Sequence, residues 1–200
     1  MTKYVTFFVV AVFLGSSLGR AASAAPRDDG SRTASSNEQA AALPSLEGSS
    51  KSVEKEWTKE EQGFGATLLL SDKPQQFLDD WNKQASVIEL GTTGSVSRGK
   101  PIVAFIVFTG CGADKQGLGD VLADMSVLTP DGKVLGENKA VDICQKRPVP
   151  PVMQLQLGVG NLGIVIEPND PPGTYEFHAK VSDRVKGVVL ELKATFSVDK

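Results

Sequence analysis

The chain has 200 residues, 40% of them hydrophobic, with 21 Lys and Arg against 24 Asp and Glu and a formal net charge of −3. Basic residues are scattered among acidic ones, with no stripe to hold nucleic acid or an anionic lipid surface, and both are excluded as partners. One histidine and two cysteines without a C-x-x-C spacing are too few ligands for a zinc or copper centre, and no cofactor is expected.

The chain begins MTKYVTFFVVAVFLGSSLGRAASAAP: Lys3, an apolar core from Tyr4 to Leu14, then Ala22-Ser23-Ala24 in an A-x-A pattern. This predicts a signal peptide over residues 1–24, because a spanning helix needs roughly 20 apolar residues and Gly15-Ser16-Ser17 interrupt this core. Loss of Lys3 and Arg20 leaves 19 basic against 24 acidic residues, a net −5. The mature chain is then exported, periplasmic or secreted, and makes no stable membrane insertion. Residues 25–56 are rich in Ser, Ala, Glu and Gln and carry no aromatic residue before Trp57, the composition of a disordered linker.

One folded domain is predicted over residues 57–200. Its first strand is GATLLLS, Gly65 to Ser71. A short helix follows in SDKPQQFLDDWNKQ, capped by Ser71 or Asp72, with Pro74 in the first turn and Phe77, Leu78 and Trp81 on one face. PIVAFIVFT, Pro101 to Thr109, is a continuous apolar run that reads as a central strand covered on both faces. The next segment, GCGADKQGLGD, is a loop carrying Asp114 and Asp120. Two carboxylates six positions apart are too few for a calcium loop, unless Glu167, Asn169 and Asp170 join them at the same end of the domain.

VLADMSVLTPDGKVLGE alternates apolar Val121, Ala123, Met125 and Val127 with Leu122, Asp124 and Ser126, and Asp131-Gly132 forms the hairpin turn. The return strand leads toward Cys144. Cys111 and Cys144 are an even count in an oxidising compartment and are expected to form a disulfide, worth about 3.7 kcal/mol on the chain-entropy model. KRPVPPV, Lys146 to Val152, reads as a stiff crossing outside any sheet, since proline removes ladder donors.

GVGNLG, Gly158 to Gly163, spells the dinucleotide pattern G-x-G-x-x-G. That motif needs a helix after it to hold a pyrophosphate, whereas Leu162, Ile164 and Ile166 continue at period two. The expectation is therefore a hairpin turn over Gly158–Asn161 between two strands. In the following NDPPGTYEFHAKVSD, Tyr175, Phe177, Ala179 and Val181 share one face and His178 the other, and Val188 to Val198 alternate again.

The D-x-x-G-x-Y-like turn with Gly173 and Tyr175 resembles the approach to the sixth strand of immunoglobulin-like and fibronectin-like sandwiches, with Phe177 at the inward position that antibody domains give to cysteine. The whole is similar in style to exported bacterial β-sandwich proteins of unknown function. The resemblance implies a mainly β fold: an immunoglobulin-like antiparallel β-sandwich of seven or eight strands with one short helix, and Tyr175 in the corner role.

This architecture carries many activities, so function has to come from the residues. His178, outward between Glu176 and Lys180, lacks the surroundings of a catalytic base, and no catalytic residue is assigned. The expected function is a non-catalytic exported interaction module, binding an unknown protein or envelope ligand through loops carrying Asp114, Asp120, Asn169 and Asp170. The alternatives are a periplasmic enzyme or enzyme inhibitor and a structural component of an envelope assembly that pairs through an edge strand.

Overall fold

The computed structural model describes residues 55–83 and 91–198; the expected signal peptide and most of the expected linker lie outside them. The described residues form nine strands and one helix: β1 (Thr58–Glu61), β2 (Phe64–Ser71), α1 (Pro74–Trp81), β3 (Ser95–Val96), β4 (Pro101–Thr109), β5 (Leu118–Leu128), β6 (Val134–Pro148), β7 (Gln156–Val165), β8 (Gly173–Asp183) and β9 (Val188–Val198). One sheet has the order β1-β2-β4-β7 and the other β3-β9-β8-β5-β6. All pairs are antiparallel except β3 with β9.

Of the seven long strands from β2 to β9, the first, second and fifth share one sheet and the third, fourth, sixth and seventh the other. This is an immunoglobulin-like strand order, with the fourth strand placed beside the third. Period-two alternation drives it: Val121, Ala123, Met125 and Val127 of β5 and Tyr175, Phe177, Ala179 and Val181 of β8 are buried between the sheets. Phe196 of β9 packs on both Tyr175 and Phe177, with ring centroids 5.3 and 5.6 Å apart.

β4 is covered on both faces, as its apolar run predicts. Ile102, Ala104, Ile106 and Phe108 point into the sandwich, while Val103 and Phe105 form a second cluster with Phe77 of α1. Phe77 stacks on Phe105 at 4.3 Å, which lays the helix on the outer face of the sheet. Pro74 starts the helix, but the cap position is Lys73 with no side-chain cap; Ser71 Oγ instead accepts the Lys73 amide.

Two sequence expectations are corrected. Gly158–Asn161 is no hairpin turn but lies inside β7. The reason is close approach. A Cβ on Gly160 would stand 2.3 Å from Val141 Cγ1 and 2.9 Å from the Asp142 carbonyl oxygen, and one on Gly158 would stand 3.1 Å from the Ile106 carbonyl oxygen and from Ile143 Cγ2. The glycines let β6 of one sheet press against β7 of the other and close that side of the sandwich. β6 reaches across with four register irregularities against β5 and positive φ at Ala140 and Lys146, the local bends that bulges supply. β6 also runs on through Lys146–Pro148, which an edge strand tolerates because the proline nitrogen needs no partner there.

Candidate interaction surface

Strand register fixes which loops share an end. The carboxyl end of β4 pairs with the start of β7, and the amino end of β4 with Val165, so the 110–117 loop and the 166–172 loop lie at opposite ends. Asp114 and Asp120 therefore never meet Asn169 and Asp170, and the calcium arrangement that would have joined them is ruled out by this topology. No group of three or more metal-binding side chains occurs among the described residues.

At the first end the carboxylates hold their own chain. Asp114 Oδ1 accepts the amides of Gln116 and Leu118 at 2.8 and 2.9 Å, the pattern of a side-chain-closed turn. Asp120 pairs with Arg184 at 3.4 Å, its other oxygen buried without a hydrogen-bond partner among the described residues. Asp183, not singled out in the sequence, is fully buried and accepts three amides, from Gly112 at 2.6 Å and from Val185 and Lys186 at 3.0 Å. It ties the sheet crossing to the β8–β9 turn. Its signal was an aspartate directly before the turn sequence Arg184-Val185-Lys186-Gly187.

Cys111 and Cys144 do come together, but as free thiols, and the expected disulfide is not formed. The two sulfurs are close neighbours: a Cβ on Gly119 would lie 3.1 Å from Cys144 Sγ and 3.6 Å from Cys111 Sγ. Burial, then Cys144 and Asp183, push the Cys111 thiol up to about 12, and burial also raises Cys144. Sequence pairing predicts the contact; the bond is a separate oxidation, and thiols held protonated contain little of the thiolate that exchange needs.

At the opposite end, Arg98 Nη1 donates to the carbonyls of Glu167 and Asp170 at 3.0 and 2.7 Å, and Asp170 Oδ2 accepts the Glu167 amide at 2.9 Å. Asn169 is exposed at the tip. Tyr175 OH donates to the Pro171 carbonyl at 2.7 Å, the return bond of a tyrosine corner. Gly173, at φ 129, lets the chain pass Pro130, which a Cβ would approach to 3.2 Å.

His178 lies on the outer face of the second sheet, as the strand phase predicts, with its side chain 40% exposed and Nε2 2.9 Å from Glu176 Oε2. Ser126 stands opposite it on β5, beside a shallow depression of about 320 Å³ that includes Asp124, Glu137, Lys139 and Lys180. A serine, a histidine and a glutamate are thus neighbours. Both strands are nevertheless paired on each side, so their backbone amides are spent on ladders and supply no oxyanion donors.

The crossing from β6 to β7 contains the feature that sequence reasoning missed. Val152 and Met153 occupy the middle of a turn closed by Gln154 N–H to the Pro151 carbonyl at 3.0 Å, and Met153 has φ 74. A turn with positive φ at its third position favours glycine or asparagine; a methionine there costs about 1–2 kcal/mol. Yet Val152 is 80% exposed, Met153 87% and Leu155 60%, so burial against the described residues does not offset that cost. Pro148, Pro150 and Pro151 stiffen the segment that presents them.

No protein-family model matches the chain, and no curated protein matches it in sequence. Among solved structures, a Niemann-Pick type C2 protein from Japanese carpenter ant is similar at TM-score 0.36 and 11% identity, over 71% of this chain and 91% of that one. A family 123 glycoside hydrolase from Clostridium perfringens is similar at TM-score 0.36 and 12% identity, over 70% of this chain and 28% of that one. No helix among the described residues is long and apolar enough to cross a membrane.

Proposed function

We propose that the chain is an exported, non-catalytic interaction module that docks a protein partner through the turn Val152–Leu155. The observation that carries this is Met153: an apolar side chain kept at a strained, positive-φ turn tip and left almost wholly in solvent, with Val152 and Leu155 beside it. Backbone strain without an internal return points to a role outside the fold, and adjacent apolar side chains in solvent are what a partner's pocket would bury. The carboxylates of the two end loops, by contrast, are engaged in bracing their own turns. Export is supported by the amino-terminal sequence pattern, and the linker-like segment after it would give the module reach.

Met153→Gly separates the two demands. Glycine relieves the positive φ and is expected to leave stability unchanged or raise it by about 0.5–1 kcal/mol, while removing the contact side chain. Measured against a partner isolated with the wild-type chain, affinity should fall about tenfold or more. A variant with undiminished affinity would sink the proposal.

A further inference from the structure

The two lateral sides of the sandwich are finished differently. On one, β6 and β7 touch through Gly158 and Gly160. On the other, β1 and β9 flank a groove of about 540 Å³ lined by Lys55, by β1 and by Val189–Glu191.

Both walls of this groove are strand edges with main-chain groups to offer. The Lys193 amide donates outward to the Glu56 carbonyl and the Ser197 amide to the Gly94 carbonyl, each at 2.8 Å. These bonds set the phase of the β9 edge. Residues of the same parity, Val189 and Glu191, turn their N–H and C=O away from β8 and toward the groove. Across it, the bond from Leu68 N–H to the Trp57 carbonyl sets the phase of β1 and turns the Glu60 main chain to the outer edge. Among the described residues, no backbone partner meets the amides of Val189, Glu191 or Glu60.

The side chains give the groove a charge preference. Three carboxylates, Glu60, Glu61 and Glu191, line it against two lysines, Lys55 and Lys59; the three make no ion pair among the described residues, while Lys55 sits over the Trp57 ring at 5.6 Å. An unpaired edge with alternating outward groups is a template for an added strand, and unmatched carboxylates favour a basic one.

We propose that the β1–β9 groove takes an extended basic segment of a protein partner as an added strand along β9. Its main chain bonds to Val189 and Glu191, and its lysines or arginines meet Glu191, Glu60 and Glu61. This rests on the interaction-module reading and deepens it, but the groove lining includes none of Val152, Met153 and Leu155, so either can fail alone.

The test uses the full chain and three synthetic peptides: alternating Lys and Val, alternating Glu and Val, and one of the first peptide's charge with proline at alternate positions. Binding is read by titration and by shifts of the Val189 and Glu191 amide resonances. The Lys-Val peptide should bind saturably, weaken with salt, and move both amides, with the other two at least about tenfold weaker. Val189→Pro removes the outward donor without touching a β8 ladder amide and should reduce Lys-Val binding about tenfold, and Glu191→Lys, which keeps every main-chain donor, should do the same. Equal binding of the proline peptide would mean charge attraction alone. That result, undiminished binding by Glu191→Lys, or no saturable binding at millimolar peptide would each overturn the proposal. Undiminished partner affinity in Met153→Gly, with Lys-Val binding at the groove intact, would instead count against the turn at Val152–Leu155 alone.

Discussion

Replacing Gly160 with alanine tests the closure of the sandwich at β6 and β7. Gly160 has no positive φ, so alanine meets no backbone penalty, and the effect rests on space. The new Cβ would stand 2.3 Å from Val141 Cγ1 and 2.9 Å from the Asp142 carbonyl oxygen. Val141 is buried and β-branched, which restricts the rotamers open to it, and Asp142 is held in the β5–β6 ladder opposite Leu122. Overpacking of this kind costs about 1–3 kcal/mol, and alanine's smaller unfolded-state entropy returns about 0.5–1 kcal/mol. From the middle of each range the expected net loss is about 1 kcal/mol, a shift of the urea midpoint with unchanged slope, followed by the fluorescence of Trp57 and Trp81. Gly163→Ala, whose Cβ would come no nearer than 3.1 Å to Val103 Cγ2, should lose less. A Gly160→Ala protein as stable as the wild type would refute the close-approach account of the glycines.

Two further outcomes follow from the core and its ends. Tyr175→Phe deletes the bond to the Pro171 carbonyl and should cost about 0.5–1.5 kcal/mol in the same denaturation assay, with the β8 packing intact; no loss would mean the corner bond contributes nothing. The two thiols should react with a thiol reagent slowly in the native chain and fast once it is unfolded without reductant, and an unfolded chain with no reactive thiol would contradict the reduced state. Because Cys111 is raised from 9.0 to about 12, the unfolded chain ionises first as pH climbs. Stability should be full below about pH 9 and fall between about 9 and 12, with a shallower fall in Cys111→Ala.

The sandwich was readable wherever one face of a strand is buried and the other wet. Alternation over Val121–Val127, Tyr175–Val181 and Val188–Val198 set both the strands and their inward faces, and it placed His178 outside. β1 and β3 escaped because four residues of Thr-Lys-Glu-Glu and two of Ser-Val carry no period. Gly158 and Gly160 were misread for a physical reason: glycine serves a turn that needs positive φ and a strand that needs room, and the neighbours that decide between them, Val141 and Ile143, are remote in sequence. Whether Asp114 and Asp170 share an end depends on strand order, which alternation does not encode. The turn at Met153 was hidden for the opposite reason. A methionine at positive φ breaks the residue preference by which such turns are recognised, so it shows only in the backbone.

Site-directed photo-crosslinking in the cells that make the protein tests the central claim most directly, with the photoreactive residue placed in turn at Val152, Asn169 and Asp114. The account predicts one dominant protein adduct from position 152, absent from 169 and 114 and diminished in the Met153→Gly background. Adducts from 169 or 114 with none from 152 would contradict it and return the contact surface to the end loops.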